Sequence, residues 1–152
     1  MAKSKPRILI VEDDAKESET LRKVLQRDGY DVDTAKNGQE AIEKLKDRFF
    51  NLALIDIKLP DMEGTKLLTL INENMPRMVK IIITGYPSLE NAVEALNQGA
   101  DAYVLKPVKP GELLALIEEK LRKQREAEVM SEEKIAEWIK TRARILEDDK
   151  KK

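Results

Sequence analysis

Apolar residues fall in two alternating patterns along this chain. Short, nearly continuous runs such as Ile8-Leu9-Ile10-Val11, Leu52-Ala53-Leu54-Ile55 and Ile81-Ile82-Ile83 are separated by longer stretches in which apolar residues recur every three or four positions. Continuous runs mark strands covered on both faces, and the longer period marks amphipathic helices. The alternation repeats five times and predicts an α/β fold, a parallel sheet with helices on both faces. Strands are expected at 7–11, 31–35, 51–56, 79–84 and 102–105, and helices at 15–28, 38–47, 64–74, 88–98 and 110–123. Leu21, Val24 and Leu25 form one helical stripe and Leu89, Val93 and Leu96 another, and both are expected to pack into the core. Gly29 and Gly99 fall where helices need a C-terminal cap. Asp14 stands where the first helix needs an N-cap.

The pattern changes after residue 123. Ser131 reads as an N-cap followed by Glu132 and Glu133 in a first turn, so a separate, additional C-terminal helix is expected to run to 147. Its apolar positions Ile135, Trp138, Ile139, Ile145 and Leu146 recur at helical spacing, as in a stripe that packs on its own domain or on a sister helix. The expected organisation is an N-terminal arm at 1–6, a globular domain at 7–123, a helical extension at 124–147 and a disordered tail at 148–152.

Composition narrows the chemistry. The 152 residues carry 28 basic and 29 acidic side chains, so no net field draws the chain to nucleic acid or to an anionic membrane. Neither cysteine nor histidine occurs, which excludes disulfides, thiolate or imidazole metal sites and Ser-His-Asp catalysis. Carboxylates, lysine and hydroxyls remain. Only four apolar residues follow the basic Met1–Arg7 stretch before Glu12, too few for the core of a signal peptide, and no apolar run is long enough to span a bilayer. A cytoplasmic, membrane-free protein without direct DNA binding is expected.

The ends of the strands hold the informative residues. The first predicted strand stops at Glu12-Asp13-Asp14, the third at Asp56, the fourth at Thr84-Gly85 and the fifth at Lys106-Pro107. Ligands of an open parallel sheet bind beyond the carboxyl ends of the strands, where strand order reverses. With the order 2-1-3-4-5, Glu12 and Asp13 face Asp56 across that crevice. Three carboxylates so close call for a cation, and an all-oxygen set suits a hard ion such as Mg²⁺ or Mn²⁺. With charge neutralised there, and with Lys106 and Thr84 on the remaining phosphoryl oxygens, Asp56 is the group expected to be modified, as an aspartyl phosphate. Proline after Lys106 permits a cis peptide that would aim the lysine inward.

These residues together resemble the receiver domain of two-component response regulators. The resemblance rests on Val11-Glu12-Asp13-Asp14, on Asp56-Ile57-Lys58-Leu59-Pro60-Asp61-Met62-Glu63-Gly64, on Thr84-Gly85 and on Tyr103-Val104-Leu105-Lys106-Pro107, and it covers 7–123. It implies a flavodoxin-like, doubly wound sheet of five parallel strands with five helices. It implies phosphorylation of Asp56 by a sensor histidine kinase, with Asp13, Asp56 and the Lys58 backbone carbonyl as metal ligands and Glu12 acting through water. Thr84 and Lys106 look like the phosphate-sensing pair, and Tyr103 like the aromatic that turns inward when Thr84 moves. Leu59 replaces a frequent methionine, and Lys58 and Tyr86 occupy rim positions that influence phosphate lifetime. The residues after 123 are enough for one helix and too few for a helix-turn-helix or catalytic output domain, so a stand-alone receiver that relays its signal to a downstream protein is expected. A homodimer is one expectation, through helix four, strand five and helix five or through the C-terminal helix, which otherwise lies on its own receiver or is presented to a target.

Two other classes share parts of this pattern. Phosphatases with an aspartyl nucleophile also use Asp, Mg²⁺ and Lys, but they resemble a pattern with a second aspartate two positions after the first, where this chain has Lys58. Self-phosphorylation and autodephosphorylation, rather than enzymatic turnover, are therefore expected. A dinucleotide site would need Gly-x-Gly-x-x-Gly after the first strand, and acids stand there instead.

Overall fold

The computed structural model describes the backbone of residues 5–150. Five strands, β1 (Arg7–Val11), β2 (Asp31–Ala35), β3 (Leu52–Asp56), β4 (Val79–Thr84) and β5 (Ala102–Leu105), alternate with five helices, α1 (Ala15–Arg27), α2 (Gly38–Asp47), α3 (Gly64–Asn74), α4 (Leu89–Asn97) and α5 (Pro110–Lys150). All strand pairs are parallel, in the order β2-β1-β3-β4-β5. The α/β class, the strand order and the count of five strands agree with the sequence pattern.

The runs are continuous because the central strands are buried on both faces, as every residue of β3 and β4 shows. One face packs Leu9, Val11, Ala53, Ile55 and Ile82 against Leu67, Leu68 and Ile71 of α3 and Ala41 of α2. The other packs Ile8, Ile10, Leu54, Ile81 and Ile83 against Leu25 of α1 and Leu113, Ile117 and Leu121 of α5. Lys80 lies inside β4, and its ammonium donates to the Asn72 side-chain oxygen and the Pro76 carbonyl, both at 3.2 Å. Burial holds its pKa below the ordinary lysine range.

Helix ends follow local chemistry. The Asp14 carboxylate accepts from the backbone N–H groups of Lys16 and Glu17, each at 2.9 Å. Gly29 and Gly99 terminate α1 and α4 with φ of 97° and 100°, a conformation in which a Cβ is strained.

Three expectations change. Leu89, Val93 and Leu96 do not reach the core: Leu89 is 82% exposed and Leu96 58%, and Ala95 is the buried residue of α4. The periodicity registers a real stripe, but the helix turns it outward. Leu21 and Val24 are half-buried, so Leu25 alone anchors the α1 stripe fully. The C-terminal helix is not separate, because α5 runs unbroken through Ser131 to Lys150. No glycine or proline follows Gly111, and Lys120 to Met130 are nearly all strong helix formers, so a capping residue in mid-run has no break to cap. The chain nonetheless divides into two compact units between Leu121 and Arg122. Of the expected tail, 148–150 continue the helical backbone and 151–152 lie outside the described residues, as do residues 1–4 of the expected arm.

The contrast between α3 and α4 is measurable. Leu67→Ala should lower the unfolding free energy by about 2–5 kcal/mol, whereas Leu96→Ala should stay within about 0.5 kcal/mol. Urea titrations decide this, and equal losses would place the α4 stripe in the core after all.

Candidate functional site

The carboxyl ends of β1, β3, β4 and β5 converge on one acidic crevice. Glu12 and Asp13 follow β1 directly, Asp56 and Thr84 are the last residues of β3 and β4, and Lys106 follows β5. Carboxylate oxygens of Glu12, Asp13 and Asp56 all lie within 4.8 Å of one another, with Glu12 and Asp56 buried and Asp13 exposed. The Lys106 ammonium lies 3.0 Å from Asp56 Oδ2 and 3.2 Å from Glu12 Oε2. The other Asp56 oxygen, Oδ1, accepts from the Lys58 backbone N–H at 3.2 Å. Asp56 is thereby held from both sides.

Burial of Glu12, reinforced by its hydrogen bond to Asp56, pushes its pKa up to about 9. Desolvation works against the charge of Lys106, but hydrogen bonds to Glu17 and Asp56 and the nearby charges of Asp56 and Glu12 outweigh it and raise its pKa. A protonated Glu12, a charged lysine and a crowded set of carboxylates mark a site built for more positive charge than the protein supplies. An all-oxygen set of this size fits a hard divalent cation.

Thr84 is fully buried, and its hydroxyl oxygen accepts from the Tyr86 N–H at 2.9 Å. The Thr84 carbonyl accepts from the Lys106 N–H at 2.8 Å, so hydroxyl and lysine are tied through one backbone link. The Lys106–Pro107 peptide is cis. Tyr103 is half-buried against the core, and its hydroxyl oxygen is buried with no hydrogen-bond partner among the described residues. At the rim the Lys58 ammonium sits 4.5 Å from the centre of the Tyr86 ring, a cation–π contact between the two positions singled out there.

Three features were not read from the sequence. Glu17, on the first turn of α1, reaches the Lys106 ammonium at 2.5 Å. An acid in the first turn of a predicted helix is common for local reasons, so no signal in the sequence singles it out. Asp61, in the loop after β3, accepts from the N–H groups of Gly38 and Gln39 at 2.8 and 2.9 Å and so ties that loop to the start of α2. The Gly38 bond, then that of Gln39, holds the Asp61 carboxyl below the usual carboxylate range. Gly64 approaches β3 so closely that a Cβ there would lie 2.1 Å from the Asp56 carbonyl oxygen.

Comparison with known proteins agrees with this geometry. Residues 8–118 match the family profile described as the response regulator receiver domain, and the chain belongs to that family. Receiver domains hold Mg²⁺ at an acidic pocket, which corresponds here to the Glu12, Asp13 and Asp56 cluster. Among solved structures, a receiver domain protein (CheY-like) from Methanospirillum hungatei JF-1 is similar at 51% identity and a TM-score of 0.80, over 82% of this chain and 99% of that one. The beryllofluoride-activated NtrC4 receiver domain dimer is similar at 35% identity and a TM-score of 0.74, over 78% of this chain and 98% of that one. Among curated proteins, the transcriptional regulatory protein ZraR of Escherichia coli O157:H7 is 38% identical over 114 residues, which are 75% of this chain and 26% of that protein. The chain thus spans about a quarter of the length of that relative.

The raised pKa of Glu12 has a sign that can be measured. Between its ordinary 4.5 and about 9 the folded protein keeps a proton that the unfolded chain loses. Without divalent metal, stability is therefore fullest below pH 4.5 as far as this group is concerned, and falls as pH rises toward 9. Glu12→Gln should flatten that slope in thermal melts recorded in EDTA, and an unchanged slope would assign the dependence elsewhere.

Proposed function

We propose that this receiver accepts a phosphoryl group on Asp56 from a phosphohistidine of a sensor histidine kinase and passes the signal on through protein contacts. The observation that carries this is the convergence of Glu12, Asp13, Asp56 and Lys106 at the carboxyl ends of three different strands. A carboxylate oxygen of Asp56 attacks phosphorus, the new O–P bond forms as the P–N bond to the donor breaks, and the electron pair leaves with the imidazole nitrogen. Lys106, already 3.0 Å from Asp56, meets the negative charge on the transferred group, and the Thr84 hydroxyl answers a second oxygen. Asp13, Asp56 and the Lys58 carbonyl would hold a Mg²⁺ or Mn²⁺ ion, with Glu12 acting through water, and the bound ion would supply the remaining charge neutralisation. These assignments follow the residue types and the family pattern.

Turnover on small phosphate esters is not the expected role. An aspartyl phosphatase needs an acid–base group two positions after the nucleophile, and that position holds Lys58, its ammonium over the Tyr86 ring. The protein is instead a cytoplasmic switch, and no helix among the described residues is long and apolar enough to cross a membrane. The exposed Leu89, Val93 and Leu96 of α4 and Leu105 of β5 offer a downstream protein, or a second receiver, an apolar surface on elements adjoining Thr84 and Tyr103. Protein contacts rather than direct DNA binding are the proposed output of these residues.

Acetyl phosphate with Mg²⁺ should add one phosphate by intact-mass measurement, Asp56→Asn should prevent it, and Lys106→Ala should slow it about 100-fold. Phosphorylation of the Asp56→Asn variant at the native rate would remove Asp56 from the role. Because Glu12 is protonated at neutral pH without metal, Mg²⁺ binding at pH 7 should release about one proton. Calorimetry in buffers of different ionisation enthalpy reads that number, and Glu12→Gln should abolish the release.

A further inference from the structure

Every proton of the Lys106 ammonium is already spoken for. It lies 2.5 Å from Glu17 Oε2, 3.0 Å from Asp56 Oδ2 and 3.2 Å from Glu12 Oε2. An ammonium has three protons to donate, so three carboxylates exhaust it. The shortest of the three contacts goes to the one acid that stands outside the metal and phosphoryl cluster. Glu17 differs in environment too, because its side chain is 47% exposed, against 6% for Glu12 and 8% for Asp56.

An acid in the first turn of α1 is ordinary, but the direction of this one is not. The start of α1 is capped by Asp14, whose carboxylate accepts from the backbone N–H groups of Lys16 and of Glu17 itself. The Glu17 side chain turns instead across the fold, to a lysine 89 positions away. The Lys106 backbone N–H is fixed on the Thr84 carbonyl at 2.8 Å, so what the lysine can change is where its side chain ends. An oxygen of a phosphoryl group on Asp56 can take a proton from Lys106 only when one carboxylate gives it up. Asp56 carries the new group, and Glu12 is buried, where a polar group left without its partner is costly. Glu17, half in solvent, is the carboxylate that water can take over at least cost.

We propose that Glu17 is a latch on Lys106: it holds the lysine in the unmodified receiver, and its release is part of the barrier to placing the lysine on the incoming phosphoryl group. The inference rests on the proposed phosphorylation of Asp56 and adds a positioning residue to it. Glu17 acts on the transferred group only through the lysine, whose charge it partly answers before a donor arrives. A receiver with the latch loosened meets the donor with a freer cation and is modified faster.

Rates of phosphate uptake from acetyl phosphate with Mg²⁺, read by intact mass on the full chain, test this with two substitutions. Glu17→Gln removes the charge, whereas Glu17→Asp keeps it and draws it back from the lysine by one methylene. Both should raise the rate about threefold or more and tighten beryllofluoride binding by a similar factor, with the urea midpoint unchanged. Glu17 also hydrogen-bonds Glu12, so Glu17→Asp is measured again in combination with Lys106→Ala. There it should leave the slow rate as it is, because the partner it acts through is gone. Acceleration by Glu17→Gln alone would reduce the effect to net charge, and acceleration by Glu17→Asp that persists without the lysine would route it through Glu12. Either result overturns the latch. Normal uptake by the unaltered chain with no gain in either variant overturns the latch and leaves the switch standing, whereas no uptake by the unaltered chain overturns both.

Discussion

Everything in the receiver is arranged around an unfavourable crowd of negative charge. Three carboxylates whose oxygens come within 4.8 Å of one another repel strongly, and two of them are buried, where the repulsion is least screened. The fold manages this by three means at once. Lys106 is drawn in from β5 to meet two of the acids and Glu17, the Lys58 N–H binds the other oxygen of Asp56, and Glu12 keeps its proton. A pocket balanced in this way responds sharply to any added charge, positive or negative. That sensitivity makes one aspartate a useful place to write a signal.

The sheet makes the crowd possible. Parallel strands deliver their carboxyl ends to one edge, so residues separated by up to 94 positions meet without a long excursion of the chain. The loop after β3 is fixed from both sides. Asp61 binds the start of α2, and Gly64 lets α3 begin against the Asp56 carbonyl with its own N–H bonded to the Ile57 carbonyl at 2.5 Å. The backbone that carries Asp56 therefore has little freedom.

Strands were the most legible part of the sequence, because burial on both faces leaves continuous apolar runs that helices do not imitate at that length. The acids and the lysine were legible for a related reason, since a charged residue closing such a run has few structural explanations. Three things were hidden. Periodicity in α4 reports that Leu89, Val93 and Leu96 share a face but not which way the face points, and the direction depends on tertiary packing through Ala95. Likewise Ser131 carries a genuine capping preference, yet capping matters only where a helix begins, and nothing between Gly111 and Lys150 interrupts this one. Glu17 and Asp61 escaped because their roles are contacts across the fold, at separations of 89 and 22 to 23 residues, that no local pattern encodes.

The uneven anchorage of the helices has a further meaning. α3 sinks Leu67, Leu68 and Ile71 into the interior, whereas α4 is moored there by Ala95 alone. Displacing α3 would expose three large side chains, while sliding or turning α4 would expose one methyl group and shelter some of the leucine surface now facing water. The energetic landscape under α4 is thus nearly flat on a scaffold that is otherwise steep. Only four residues separate Thr84 from the start of α4, so a modest pull on that buried hydroxyl has somewhere to go.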